Sequence, residues 1–483
     1  MPATISARLG AHVELEPRAN GKLAACFEGH SVGLGTFSAG AAERAQQLRD
    51  GLALDEFAAP RRPVDKEILA LVERLARHGL IEYQLRRAPN AAEEVVIEPQ
   101  VPDYWPRTPT LGDADVIVLS RFAYMRRRGS EMVLESPRAG ALFRICDAKI
   151  ASALAALSEP QEVRNLRRQD AFPGLELLAL LLDCQILFKI DTPGDSGLRA
   201  VEGDTGLVLW DFHDLLFHTR STEGRHANPL GGLYPYASTV PPLPAVRPPW
   251  PGKKLDLRKL APAHSGADTP AAKLLRERRS TRSFDEQRPI TLAELVQFLD
   301  GAARVLGRST SRLDLGDGGP LVGYTTRPYP SAGAAYELEL YLAVDQCEGL
   351  ARGFYHYDAG GHSLVPIDVR TADLEMLMTG AQLAMIAPAL PQVLITIAAR
   401  FGRISWKYSS IAYSLILKNV GVLIQTLYLT ATDLGLGGCA VGTNNINLFE
   451  KMTGLPFHIE GPVGQFALGR PKPGADDDEP TSF

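Results

Sequence analysis

Within VDKEILALVERLARHG the apolar residues Ile68, Leu71, Val72 and Leu75 recur at helical spacing on one face, and Gly79 follows where a left-handed cap can end the helix. Short strand-like runs, AHVELEP and KLAACFEG, lie ahead of it, and the strand-like LIEYQLR comes after. A similar order recurs downstream: MVLES, an alanine-rich helix around KIASALAAL, a second helix GLELLALLLDCQ and a closing strand ILFKI. The recurrence predicts a weak internal duplication of a small module, at 1–105 and 106–200. Its strand, helix, helix, strand order suits a winged-helix domain, a class that binds DNA, peptides or only a neighbouring domain. From about Gly203 to Ala261 the chain turns to Pro, Gly and aromatic residues, a composition that cannot sustain a helix or a central strand and predicts an extended linker over 201–261.

The pattern after the linker is different. A helix TPAAKLLRERRS is followed by TLAELVQFLDGAARV, a helix with Thr291 as N-cap and Glu294 at the capping-box position. ELELYLAV and QVLITIAAR read as strands. A long helix starts near Ser409 and stops at GLGG, and GADDDEPTSF reads as a mobile acidic tail. The expected fold class is α+β, with one larger domain over 262–483 behind two winged-helix-like modules.

With 483 residues, 45% of them hydrophobic and 22% charged, the chain can bury a large core and should divide into two to four domains. A formal net charge of −5 and a pI near 6.1 argue against nucleic acid or a membrane surface as partner. The most apolar run, Ile411 to Leu434, is interrupted by Lys418, Asn419, Gln425 and Asp433, and the N-terminus has no signal-peptide pattern, so a soluble cytoplasmic protein is expected. Five scattered cysteines without CxxC spacing suggest neither a disulfide framework nor a thiolate zinc site. His213 and His218 stand five apart outside any HExxH pattern, which favours structural contacts over a metal pair. No metal is expected.

Candidate chemistry concentrates in the C-terminal half. Arg276, Arg278, Arg279 and Arg282 crowd the end of one helix, where guanidinium forks can grip a phosphate with Ser280 adding a neutral hydrogen bond; the alternative is a solvated, charged helix end. In RPYPSAGAAYELELY, the residues Pro330, Ser331, Ala332, Gly333 and Ala334 form a small-residue turn before a strand, which lets backbone approach a flat ligand or simply meets a steric need. SVGLGTFSAG and GDGG match dinucleotide loops poorly, and GLGGCAVG follows a helix instead of a strand, so a Rossmann reading fails.

In combination, RRSTRSF, PSAGAAYELELY, GRISWKYSS, LYLTATDLGLGGCAVG and FALGRP occur in an order and spacing that resembles the flavin-dependent nitroreductase superfamily. Within it the chain is similar to the SagB-type dehydrogenases, the azoline oxidases of thiazole/oxazole-modified peptide biosynthesis, with LWDFHDLLFHTRS also characteristic. The resemblance implies an FMN domain that dimerises with the cofactor at the interface. Arg278, Arg279, Ser280 and Arg282 would hold the FMN phosphate and flank the ring, with Arg470 as a further phosphate ligand. The turn Pro330, Ser331, Ala332 and Gly333 would bind the cofactor, Ser331 and Gly333 lining the isoalloxazine, and the backbone at Gly437 and Gly438 would touch it from the other side. Lys407 and Tyr408 match the family's catalytic pair. Turning an azoline into an azole removes one hydrogen as hydride and one as a proton, so a base is required; a phenol is a poor one, and a neighbouring ammonium favours its phenolate.

The implied substrate is an azoline-containing precursor peptide, clamped by the N-terminal modules, with dioxygen as final acceptor and a cyclodehydratase as a partner. Two rival readings are an NAD(P)H-dependent nitro or quinone reductase and a peptide-binding scaffold with an inert flavin site. The chain departs from the family pattern in PSAGAAYELELY, which has alanine and glutamate where many relatives have a second glycine and a proline. It departs again in SIAYSLILKNVG, which is more apolar than the usual arginine-bearing helix.

Overall fold

The computed structural model describes residues 3–27, 30–86, 93–101, 104–169, 172–190, 206–224, 234, 236–249, 251–253, 255–257, 269–314 and 319–474. The N-terminal part opens with β1 (Thr4–Leu9) and the meander β2 (Glu14–Arg18), β3 (Lys22–Phe27) and β4 (His30–Thr36). It continues with α1 (Ala39–Ala45), β5 (Leu52–Ala53), α2 (Pro63–Arg77) and β6 (Ile81–Arg86). After β7 (Val95–Pro99) the same order returns: β8 (Val116–Leu119), a meander β9 (Tyr124–Arg128), β10 (Glu131–Glu135) and β11 (Ala141–Ile145), then α3 (Ala148–Ala155), β12 (Gln161–Glu162), α4 (Val163–Leu166), α5 (Leu175–Asp183) and β13 (Leu187–Ile190). The small sheets β5-β1-β6 and β12-β8-β13 have the same antiparallel topology, so the duplication is present in the strand pairing itself.

The copies differ in what becomes of the meander. In the first, β2-β3-β4 stands as its own sheet; in the second, β9–β11 joins the first copy's sheet through β7, giving the order β5-β1-β6-β7-β11-β10-β9. Strands from both sides of residue 105 therefore share a sheet, and a single apolar core runs from Ala7 to Leu187. Helix α2 shows how the sequence builds it. Pro63 starts the helix, Asp65 Oδ2 accepts from the Arg62 amide at 3.1 Å, and Ile68, Leu71, Val72 and Leu75 are buried, with Gly79 at φ 67° beyond the end.

Residues 206–224 are not extended. They form a strap around α6 (Phe212–Arg220) that docks on the C-terminal domain, because Leu207, Trp210, Leu215 and His218 have a core to enter. The proline-rich residues 236–249 are exposed. All of GDGG but Gly319, and all of the acidic tail but Gly474, lie outside the described residues.

The C-terminal domain comprises α7 (Pro270–Glu277), β14 (Ile290–Thr291), α8 (Leu292–Ala303), the hairpin β15 (Gly307–Arg312) and β16 (Leu321–Thr326), β17 (Leu338–Val344), β18 (Cys347–Glu348), β19 (Gly353–Asp358), β20 (Ser363–Ile367), α9 (Thr371–Met385), β21 (Val393–Arg400), α10 (Phe401–Ser405), α11 (Ala412–Asp433), β22 (Gly437–Val441), α12 (Ile446–Thr453) and β23 (Glu460–Gly469). Six strands make one antiparallel sheet in the order β20-β19-β17-β21-β23-β22. Helices α8 and α11 cover one face through Phe298, Leu423, Leu427 and Phe466; α9 and α12 cover the other through Met378, Phe449 and Met452. The capping box at Thr291 and Glu294 forms, with Thr291 Oγ1 accepting from the Glu294 amide at 3.2 Å. Helix α11 is the one described helix long and apolar enough to cross a membrane by length and composition; Ile416, Val420, Leu423 and Leu427 are buried in the domain core.

Candidate active site

The turn ahead of β17 holds three residues in the left-handed region: Gly333 at φ 58°, Ala334 at 52° and Tyr336 at 49°. Residues with a Cβ resist that conformation, so surrounding bonds must impose it. They do. Ser331 Oγ accepts from the Tyr336 amide at 3.0 Å and from Asn419 Nδ2 at 3.2 Å, and donates to Glu337 Oε2 at 3.2 Å. Asn419 Nδ2 also donates to Glu337 Oε1 at 2.8 Å, while Asn419 Oδ1 accepts from the Ala332 amide at 3.1 Å. Glu337 is 0% exposed, and burial raises its carboxyl pKa against the opposing effect of these hydrogen bonds.

Above this clamp sits the lysine–tyrosine pair. Lys407 Nζ donates to the Gly333 carbonyl at 3.3 Å. A Cβ on Gly333 would lie 2.5 Å from Tyr408 Oη and 2.6 Å from Lys407 Nζ, so both polar ends converge on one point that only glycine leaves open. Lys407 is exposed and Tyr408 half-buried. The pair follows α10, whose Phe401 and Ile404 are buried. The strap packs against this helix: Trp210 stacks with His218 at 5.8 Å and lies 4.5 Å from Phe401. Trp210 Nε1 donates to the His458 carbonyl at 2.7 Å, and His218 Nδ1 lies 3.1 Å from Tyr413 Oη. Burial pushes the His218 imidazole pKa down to about 3. A pocket of about 350 Å³ opens along α10, lined by Arg400, Gly402, Arg403, Trp406, Ile459 and Glu460.

The arginine loop is built elsewhere. Helix α7, capped by Thr269, ends at Arg278, whose guanidinium lies 5.0 Å from the centre of the Tyr428 ring. Ser280 Oγ lies 2.9 Å from Tyr428 Oη, which accepts from the Ala440 amide at 2.8 Å. Ser280 bridges to Gly438, and the Thr281 amide donates to the Gly438 carbonyl at 2.8 Å. Arg279 and Arg282 are exposed. Gly437 and Gly438 are buried; a Cβ on the first would press on Thr281 at 2.7 Å, and one on the second would overlap the Phe466 ring. Close packing thus requires small residues at both. Arg470 has its fork on Glu294, at 2.7 Å to each oxygen, and its Nε on the Arg288 carbonyl at 3.2 Å. To reach a phosphate it would have to exchange partners.

The expected residues therefore form two groups. Pro330, Ser331, Ala332 and Gly333 assemble with Lys407 and Tyr408, and Arg278, Arg279, Ser280 and Arg282 assemble with Gly437 and Gly438. Asn419 anchors the first group and Tyr428 the second, both on α11 and nine residues apart. That spacing is about 13 Å along the axis and about half a turn around it, so within one chain the groups stand on opposite faces of the helix. The residues present fit FMN in these halves: exposed guanidinium forks for the phosphate dianion, and a strained small-residue turn for a flat ring. Among the described residues no three His, Cys, Asp or Glu side chains gather as a metal site. Sequence reasoning missed Glu337 and Asn419 as parts of the site; the available signal was a polar Asn419 inside the most apolar run of the chain.

Residues 117–227 match the family described as the cyanobactin oxidase ThcOx, and residues 275–470 match the nitroreductase family. A protein of Methanocaldococcus jannaschii that carries the name of a nitroreductase is 34% identical over 195 residues, covering 40% of this chain and 89% of that protein. Among solved structures, a chain of the Escherichia coli microcin synthetase McbBCD complex with truncated pro-MccB17 bound is 20% identical, with 58% of this chain and 100% of that chain covered and a TM-score of 0.36. An FMN-bound nitroreductase of Bacteroides fragilis is 16% identical, with 45% and 96% covered and a TM-score of 0.26.

Proposed function

Because the chain belongs to the nitroreductase family of oxidoreductases, we propose that it is an FMN-dependent dehydrogenase that oxidises thiazoline and oxazoline rings to azoles on a ribosomally made peptide. The cyanobactin-oxidase segment directly ahead of the nitroreductase segment supports a peptide-modifying member of the family. The observation that carries the reading is the convergence of Lys407 Nζ and Tyr408 Oη over Gly333. FMN held between the arginine loop and the glycine turn would supply the acceptor for the ring hydride, with dioxygen as the final electron acceptor. Tyr408 Oη removes the ring proton, and the Lys407 ammonium offsets the negative charge this requires. The Gly333 carbonyl holds Lys407 in place. The pocket beside Trp406 offers the flanking peptide a surface next to the reacting ring.

The flavin site is shared by two copies of the chain in this reading, the arginine loop of one facing the glycine turn of the other. The placement of the two groups on opposite faces of α11 supports it, as do the exposed Ile411 and Val422 on that side of the domain. The duplicated N-terminal modules serve as the peptide clamp, and a cyclodehydratase supplies the azolines.

The test is to incubate the purified protein with azoline peptides and follow by mass spectrometry the loss of two hydrogens per ring, with chromatography of the released flavin. Unchanged peptides, or FAD in place of FMN, would refute the assignment. The similarity to a protein named as a nitroreductase favours one second reading, NAD(P)H-dependent reduction of nitro compounds or quinones; NAD(P)H consumption with such acceptors and none with peptide would select it.

A further inference from the structure

The donor and acceptor count beneath the glycine turn assigns a role to a buried glutamate. Asn419 Oδ1 faces the Ala332 amide, so its Nδ2 must point at Glu337 Oε1 and Ser331 Oγ. Ser331 Oγ already accepts from two donors, the Tyr336 amide and Asn419 Nδ2, which fills both lone pairs and leaves only its proton to give. That proton goes to Glu337 Oε2. Both oxygens of Glu337 therefore accept, and a carboxylate does so without a proton of its own that would need a further partner. Every polar atom of Ser331 and Asn419 is then used, in a site where Glu337 is 0% and Asn419 5% exposed. The bonds end on the amides of Ala332, just before left-handed Gly333 and Ala334, and of Tyr336, which is left-handed itself.

We propose that Glu337 is a positioning residue: as a double acceptor it locks Ser331 and Asn419, holds the turn 331–336 in its left-handed conformation, and so sets the Gly333 carbonyl against Lys407 and Tyr408. Its shape is secondary to its acceptor count. Glu337→Gln keeps the shape and fails, because its amide group would face Asn419 Nδ2 or the Ser331 proton, donor against donor, in a dry site. The reciprocal change supplies the repair. With Glu337→Gln and Asn419→Asp together, the new carboxylate accepts from Ala332 and from the new amide, Ser331 gives its proton to the new carbonyl, and one negative charge is kept, moved across the hydrogen bond to position 419; only the bond from Asn419 Nδ2 to Ser331 Oγ is lost.

The experiment uses the full chain and measures amide hydrogen exchange at Ala332 and Tyr336 together with turnover on an azoline peptide. In Glu337→Gln, exchange at these two amides should rise about tenfold or more while that of β21 and β23 stays as in the parent, the expected effect of one unsatisfied buried group. The turnover number should fall by about the same factor with KM changed less than about twofold, since the proton-accepting pair loses its support and the substrate surface does not. The double variant should recover much of both, short of the bond from Asn419 Nδ2 to Ser331 Oγ. Unchanged exchange at Ala332 and Tyr336 in Glu337→Gln, or a double variant as damaged as the single, overturns the proposal. The turnover readout rests on the proposed azoline oxidation and the exchange readout does not: a parent protein that leaves azolines untouched sinks that function while exchange still decides the role of Glu337.

Discussion

The two faces of α11 follow opposite physical plans. At Asn419 a strained turn is locked by a closed set of hydrogen bonds, with Ser331 and Asn419 fully satisfied and Glu337 out of contact with water. At Tyr428 the chain presents Arg279 and Arg282 to solvent on a loop pinned by Ser280 and Thr281. The first face spends its bonds internally and is finished before any ligand arrives, as catalytic geometry requires. The second carries its charge at the surface, where an anion could reach it. Substitutions on the first should change rate or folding, whereas substitutions on the second should change cofactor affinity and salt dependence.

The sharpest break in that contrast comes from Tyr408→Phe, which removes the proton-accepting atom and keeps the ring. Azoline oxidation should fall about a hundredfold or more, the usual size of a lost general base, while gel filtration and flavin absorbance stay as in the parent; Lys407→Ala should behave alike. A near-parental rate for Tyr408→Phe reassigns the pair to substrate positioning.

Gly333→Ala tests the turn itself. The added methyl group meets Tyr408 Oη and Lys407 Nζ, and φ 58° adds roughly 1–2 kcal/mol of backbone strain. Thermal unfolding should shift down by several degrees and turnover should drop about tenfold, with FMN affinity little changed. A fully active alanine variant would show that the pair does not work over Gly333.

Arg279→Ala belongs to the other face. It should weaken FMN binding about tenfold, the scale of a charge-assisted hydrogen bond, with activity restored by excess FMN and with a shallower dependence of affinity on salt. A fall in activity that excess FMN leaves unrepaired would place Arg279 in the reaction instead.

The strap that packs on Phe401 and Tyr413 is tested through stability and not through turnover. Buried His218 takes a proton only near pH 3, against an ordinary value of 6.5. The unfolded chain binds that proton and the folded chain refuses it, so stability rises with pH from about 3 to 6.5 by at most about 1.4 kcal/mol per pH unit. His218→Asn should flatten this slope in urea unfolding followed across that window. An unchanged slope would mean that other groups carry the acid sensitivity.

Much of this was legible in the chain because the signals are local. The face of α2 with Gly79 beyond its end, the box at Thr291 and Glu294, the start of α11 near Ser409 and the recurrence of a module each depend on residues close in sequence. The strap was harder to read: Pro and Gly around it suggested an extended linker, yet Trp210 and His218 fold onto Phe401 and Tyr413, residues almost two hundred positions away. The fusion of the second meander to the first sheet was equally invisible, since strand patterns do not name their partners.

The site divides along the same line. Residue type drew attention to the arginine loop and the small-residue turn, and the resemblance to a family to the lysine–tyrosine pair. Only the tertiary structure decided that Ser331 turns inward, that Gly437 and Gly438 are small for packing, that Arg470 rests on Glu294, and that Glu337 and Asn419 complete the turn. These depend on which polar atoms meet in a dry interior, where each donor must find an acceptor across long stretches of chain, and composition and spacing carry no record of that pairing.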